Sequence, residues 1–254
     1  MPVAVTLQAG LRGNLSVYPV AAMAELGVDA FVTDRFGGVS AAPYDSLNLA
    51  RHVGDEEANV RENRRRVARA AGVDPERLAI VRQVHGDTVL DASDADDGAE
   101  GDGLVTSSPE VALVMLVADC VPVLLVDASS TRVAVVHAGW RGLDRRVIEA
   151  AVGRFDDPTN LHAFLGPAIT LEGYQVGPEV AARFARVPGA VRADVADRSR
   201  LDLRRVAAHQ LSELGVADER IIVCTQATDG GETFYSDRAQ RPTGRFALVA
   251  KRAP

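Results

Sequence analysis

VALVMLVADCVPVLLV, residues 111–126, decides the class of fold. It is the longest apolar run in the chain, and Asp119 and Pro122 interrupt it. A membrane-spanning helix needs about 20 consecutive apolar residues, so this run is too short and too broken to cross a bilayer. Its two halves read instead as buried strands, predicted at Val111–Val117 and Pro122–Val126. An Asp inside a buried run is costly unless it is paired or has chemical work to do. Asp119 beside Cys120 therefore marks the edge of a site.

Working outward, β-branched runs bounded by turn residues predict further strands at Val3–Leu7, Ala30–Thr33, Leu78–Val84, Arg132–Val136, Leu161–Leu165, Arg220–Cys224 and Phe246–Ala250. Leu143, Val147, Ile148, Ala151, Val152 and Phe155 fall on one stripe at helical spacing. Two more helices are expected at Asn59–Ala71 and Asp202–Leu214, with Gly215 as a stop signal for the second. Pro178 after Gly177 marks the start of a short fourth helix. Strands and helices are mixed along the whole length, so the class is α/β or α+β. No Gly-rich phosphate fingerprint is present.

The chain has 254 residues, 47% of them hydrophobic and 25% charged, which is ordinary for a folded globular protein. That length supports one large domain or two small ones. The net charge of −7 leaves no broad basic stripe, so a nucleic-acid partner is not expected. Two cysteines are too few for a disulfide framework and fit a reducing compartment. The opening MPVAVTLQAGLRGNLS lacks the form of a secretory leader. Six acidic residues in DASDADDGAEGDG, 91–103, suggest a solvated loop, and their spacing does not match a calcium-binding EF-hand.

His85, Cys120 and His137 lie in three separate segments, RQVHGDTV, VADCVPVLL and VVHAGWRGL. Each follows a run of strand formers and precedes a turn signal. Such strand ends are well placed to line a cleft. Two imidazoles and one thiol are a plausible set of zinc ligands with a fourth position open, as in catalytic zinc sites. The spacing, 35 residues and then 17, is not itself a zinc signature. A second chemistry fits the same residues: Cys120 as nucleophile and His137 as its general base. In either case Asp119 is expected to orient a ligand imidazole or to carry a proton.

The remaining histidines carry weaker signals. His162 heads an apolar strand and reads as structural, His209 falls off the apolar stripe of its helix, and His52 sits in a loop. Cys224 after RIIV reads as a small hydrophobe. Arg141, four residues past His137 and opening a helix, either faces the site or caps the helix. Arg64, within RENRRRVAR, reads as part of a solvated helix face.

Several motifs together resemble one family. QVHG at 83–86, DGLVT at 102–106, ADCVPVLL at 118–125, HAGWRG at 137–142 and GPAI at 166–169 resemble the YfiH-like, or laccase-domain, proteins. So do DRFGGVS and PYDSLNLARHVGD within 34–55, NR at 63–64, and CT, FYS and TGRFALV near the end. The resemblance covers nearly the whole chain and implies a single domain over 1–254. It implies an α/β/β/α sandwich with internal duplication of a βαββ-type unit, and a metal site of His85, Cys120 and His137. It also implies a cytoplasmic, zinc-dependent purine nucleoside phosphorylase, monomeric or weakly dimeric, that uses phosphate and deaminates adenosine. Adenosine, inosine and methylthioadenosine are its implied substrates. It places Arg64 near the nucleoside and adds Asn48 as a substrate-binding residue. Two departures stand out: an extra residue in TDRFGGVS, and YSDRAQRP in place of the usual terminal motif.

Two alternatives accompany that resemblance. One is an amidase or deamidase built on Cys120 and His137, acting on a peptidoglycan precursor or another amide. The other is a copper-dependent polyphenol oxidase side activity at the same donors, since Cu²⁺ outcompetes Zn²⁺ for nitrogen and sulfur ligands. Five histidines in the chain cannot supply the ligands of a multicopper enzyme.

Overall fold

The 111–126 run does form two strands, Ala112–Val117 and Val121–Asp127, but they belong to different sheets. Between them Asp119 adopts a left-handed backbone with φ of 87°, which turns the chain from one sheet into the other. These features come from a computed structural model, which describes residues 1–253.

One sheet has seven strands in the order Val3–Val5, Ile221–Cys224, Leu161–Leu165, Val121–Asp127, Val133–Ala138, Gly103–Thr106 and Val89–Asp91. Another has six, in the order Gly10–Arg12, Leu15–Pro19, Val28–Thr33, Phe246–Arg252, Ala112–Val117 and Leu78–Ala79. A third, small sheet joins Gln175–Val176, Ser199–Leu201 and Val191–Ala193. Parallel and antiparallel pairs both occur in the two large sheets. The protein is thus a mixed α/β fold.

Side chains alternate across a strand, so a strand that is apolar throughout must be covered on both faces. That is how the central strands pack. Val121, Val123 and Leu125 enter one core cluster, while Leu124 and Val126 enter a second. In the six-stranded sheet, Leu113, Met115 and Val117 join this second cluster, whereas Ala112, Val114 and Leu116 face a third. The second cluster therefore lies between the two sheets. Helices Val147–Val152 and Leu203–Glu213 pack against the first cluster, and Glu57–Ala71 packs against the third. Each fully buried Val, Leu or Phe stabilises this arrangement by roughly 1.5–3 kcal/mol.

Three expectations need correction. The strand predicted at Leu78–Val84 ends after Ala79. Beyond it the side-chain amide of Gln83 takes over the edge of the sheet, donating to the Leu116 carbonyl at 2.7 Å and accepting from the Leu116 N–H at 3.0 Å. The single helix expected across 143–155 is two short helices, Trp140–Asp144 and Val147–Val152, broken where Arg146 is left-handed at φ 67°. The acidic segment 91–103 is solvated as expected over 91–100, where its acidic residues are all exposed, and departs from the expectation at its end. Asp91 pairs with Arg154 at 2.5 Å, Asp97 pairs with Arg64 and Arg51 at 2.7 Å each, and Asp102 is fully buried. Local composition reports polarity, but these carboxylates are satisfied by partners distant in sequence. Among the described residues no helix is long and apolar enough to cross a membrane.

Candidate metal centre

The junction between the two sheets brings His85, Cys120 and His137 together. One nitrogen of each imidazole and the thiol sulfur all lie within 4.8 Å of one another. His137 is the penultimate residue of the Val133–Ala138 strand rather than a residue beyond it. Cys120 ends the turn at Asp119 and directly precedes the Val121–Asp127 strand. His85 sits in a turn with φ of 58°. A left-handed conformation at a non-glycine residue costs energy and persists only where its surroundings hold it.

Asp102 is what holds it. One carboxylate oxygen, Oδ1, accepts from the His85 N–H at 2.9 Å and lies 2.8 Å from Nδ1 of His137. The other, Oδ2, accepts from the N–H groups of Gly86 at 2.6 Å and Val84 at 3.2 Å. The Asp102 carbonyl accepts from the His137 N–H at 2.7 Å. A single residue thus fixes the turn of one candidate ligand and the ring of another. With Nδ1 engaged, Nε2 of His137 is the nitrogen free to bind a metal, the arrangement that orients metal-binding imidazoles. Gly139 is needed for the close approach: a Cβ there would stand 2.9 Å from Cys120 Sγ and 3.1 Å from His85 Cδ2.

The electrostatics favour ionised ligands. Burial raises the pKa of the Cys120 thiol, but His137 and His85 more than offset that and pull it down to about 6. Burial lowers the pKa of His137, but Cys120 and Asp102 draw it up to about 9. Thiolate and imidazolium stabilise each other here, and a cation can replace the proton they share. The donor set suits Zn²⁺, which takes thiolate and imidazole at about 2.0–2.3 Å.

The other candidate residues fall in different places. Asp119 orients neither imidazole. Its Oδ1 accepts from the Thr228 hydroxyl at 2.6 Å and its Oδ2 from the Arg238 N–H at 2.7 Å. The left-handed turn swings its carboxylate toward the 228–238 segment, so Asp119 lines the cleft without touching either imidazole. Asn48 is fully buried, and its amide is saturated. It donates to the Ala50 carbonyl and Asp55 at 2.9 Å each, and it accepts from the Ala50 and Arg245 N–H groups at 3.0 Å each. With four partners it has no hydrogen bond left for a substrate. Arg64 is not on a solvated face. Its guanidinium grips Asp97 and the Leu49 carbonyl, and it does not line the cleft over the metal ligands. Arg141 does line that cleft, stacked 4.4 Å over Trp140.

The cleft has a volume of about 310 Å³. Its floor holds the His85, Cys120 and His137 side chains, and His52, Tyr174, Arg238, Arg241 and Arg245 also line it. Larger cavities near Met1 (670 Å³) and beside Arg12 (490 Å³) lack this cluster of donors, so chemistry rather than size selects the site. The three C-terminal arginines were missed by sequence reading, which saw YSDRAQRP only as a departure from a motif. The available signal was the density of arginine at 238, 241 and 245 in a chain of net charge −7. His162 lies on the Leu161–Leu165 strand, His209 pairs with Glu213 at 3.5 Å, and Cys224 is fully buried.

The fold and this site define an α/β protein with three donors at a sheet junction that could hold a metal ion. A family described as multi-copper polyphenol oxidoreductase laccase matches residues 29–253, and the chain belongs to it. A Mycobacterium tuberculosis protein named purine nucleoside phosphorylase is 41% identical over 247 residues, covering 94% of each chain. The Escherichia coli purine nucleoside phosphorylase YfiH is 39% identical, over 87% of this chain and 92% of its own. The crystal structure of YlmD from Geobacillus stearothermophilus is similar with a TM-score of 0.91 at 31% identity, covering 98% of this chain and 99% of that one. The YfiH resemblance read from the motifs is thereby borne out.

Proposed function

We propose that this chain is a zinc-dependent purine nucleoside phosphorylase that cleaves adenosine, inosine and methylthioadenosine with phosphate and also deaminates adenosine. The observation that carries the reading is the set of three donors on the floor of a small cleft edged by arginines. The names of the mycobacterial and Escherichia coli relatives support it. His85, Cys120 and His137 would hold the ion, which supplies Lewis acidity toward a substrate oxygen when bound. Asp102 keeps His137 oriented, and the arginines raise the local concentration of an anionic co-substrate. The two free cysteines fit a cytoplasmic protein, and a single domain over 1–254 acting alone or as a weak dimer completes the proposal. Despite the family's description, a multicopper centre does not fit. Two imidazoles belong to this one donor group, while His162 and His209 lie elsewhere. A single Cu²⁺ at the same donors would account for a polyphenol-oxidising side activity.

The test is to incubate metal-replete protein with adenosine and phosphate and to separate the products. Adenine with ribose 1-phosphate, and inosine from deamination, are expected. Absence of all three would overturn the reading.

A second reading is favoured by one observation: Cys120, His137 and Asp102 also form the thiol–imidazole–carboxylate series of cysteine hydrolases, with the last pair 2.8 Å apart. It leaves His85 without a role. Amide hydrolysis that survives chelation and is abolished by thiol alkylation would establish it in place of zinc chemistry.

A further inference from the structure

We infer that Arg141 and Arg238 form an anion subsite in the cleft that takes a dianionic phosphoryl group, an inference that deepens the phosphorylase reading and rests on it for the identity of the ligand. The cleft's arginines divide into two kinds. Arg241 and Arg245 both pair with the Asp237 carboxylate, which offsets part of their charge. Arg238 and Arg141 have no carboxylate partner among the described residues. Among the described residues the Arg238 guanidinium donates only to the Gln175 carbonyl, at 3.2 Å. Among the described residues the Arg141 guanidinium has no hydrogen-bond partner, and both residues are exposed and line the cleft.

Each of these two guanidinium groups is stacked on an aromatic ring, Arg141 at 4.4 Å over Trp140 and Arg238 at 5.1 Å over Tyr174. Stacking occupies the flat face of a guanidinium and leaves its in-plane N–H groups free. It also limits side-chain motion, so less entropy is lost when an anion binds. Tyr174, Arg141 and Arg238 line the same cleft as the three candidate metal ligands. Burial, reinforced by Cys120, pushes Tyr174 up to about 12, so its phenol stays protonated as a further donor. Two forked cations match a dianion with three terminal oxygens better than they match a lone carboxylate, which one fork satisfies.

This arrangement gives Asp119 a role as a positioning residue. Its carboxylate fixes the Arg238 backbone N–H at 2.7 Å, and its own backbone leads directly into Cys120. One residue thus sets the spacing between a candidate metal ligand and the anion-binding arginine.

The experiment is calorimetric titration of inorganic phosphate, and separately of adenosine 5′-monophosphate, into the full-length zinc-loaded protein. Arg141→Ala and Arg238→Ala should each weaken phosphate binding about tenfold or more, the usual loss for a charge-assisted contact. Arg238→Lys should recover part of the loss, and Arg186→Ala, outside the cleft, should change nothing. Zinc content should stay at the wild-type level in every variant. In turnover assays, KM for phosphate should rise with little change in kcat or in KM for adenosine, and Asp119→Asn should show the same split. Loss of phosphate binding without any turnover in the wild type would leave the subsite standing and remove the phosphorylase reading. Loss confined to the monophosphate arm would assign the phosphoryl group to a substrate ester. Wild-type-like binding of both ligands in both alanine variants, or no binding of either by the wild type at millimolar concentration, would overturn the subsite.

Discussion

Asp102 Oδ1 lies 2.8 Å from Nδ1 of His137 and also accepts the backbone N–H of His85 at 2.9 Å, so one buried carboxylate ties two of the three candidate metal ligands together. Replacing it isosterically with Asn keeps the volume but removes the charge and two of the acceptor positions. Asp102→Asn should weaken zinc binding by about 10–100-fold, the usual effect of removing a partner that orients a metal-binding imidazole. Competition with a chromophoric chelator measures this. Zinc affinity equal to wild type would mean that His137 is oriented without Asp102.

The Cys120 thiol is depressed to about 6, so the thiolate predominates above that pH and is lost as pH falls through it. An ordinary cysteine ionises near pH 8.5. In metal-free protein the rate of Cys120 alkylation should therefore reach half its maximum near pH 6, and added Zn²⁺ should suppress it. A midpoint near the ordinary cysteine value, or no protection by Zn²⁺, would contradict the ligand assignment.

Gly139 tests the packing of the donors. An alanine Cβ would press on Cys120 Sγ and His85 Cδ2 at 2.9 and 3.1 Å. Gly139→Ala should cost about 1–3 kcal/mol through overpacking, concentrated at the metal site. Zinc stoichiometry should fall while far-UV circular dichroism remains that of the wild type. Full zinc occupancy in the variant would show that the three side chains have more freedom than their placement suggests.

Asn48 should matter for folding and not for substrate. Asn48→Ala leaves the Arg245 and Ala50 N–H groups without their acceptor, at roughly 1–3 kcal/mol for each group left unsatisfied, while Asp55 keeps its Ser40 and Glu56 donors. The denaturation midpoint should drop, while KM for adenosine per folded molecule holds. An unchanged midpoint with a raised KM would return Asn48 to the substrate site.

Much of the core was legible because buried strands leave continuous apolar runs. Leu161–Leu165 forms with the predicted bounds, and the halves of 111–126 separate at Asp119 as their interruption suggested. The site was legible only in part. Two imidazoles and a thiol at turns can be seen in the sequence, since few residue types bind soft metals. Asp102 falls in the DGLVT match, but composition could not single out its role, because its partner His137 lies 35 residues away. Arg238 and Arg245 reach the cleft from the far end of the chain through backbone contacts with Asp119 and Asn48, which no local pattern encodes. Asn48 and Arg64 were legible as motif residues but not as internally bonded ones. Their polar groups are consumed by internal partners, which a motif match cannot reveal.

The central claim is that His85, Cys120 and His137 share one metal ion. An anomalous-difference map recorded at the zinc absorption edge, from crystals of protein purified without added metal and then loaded with zinc, tests it most directly. One peak is expected among the three side chains, about 2.0–2.3 Å from the thiol sulfur and from one nitrogen of each imidazole, with at least one coordination position not filled by protein. A loaded crystal with no peak at those residues, or with a fourth protein ligand closing the site, would contradict the account.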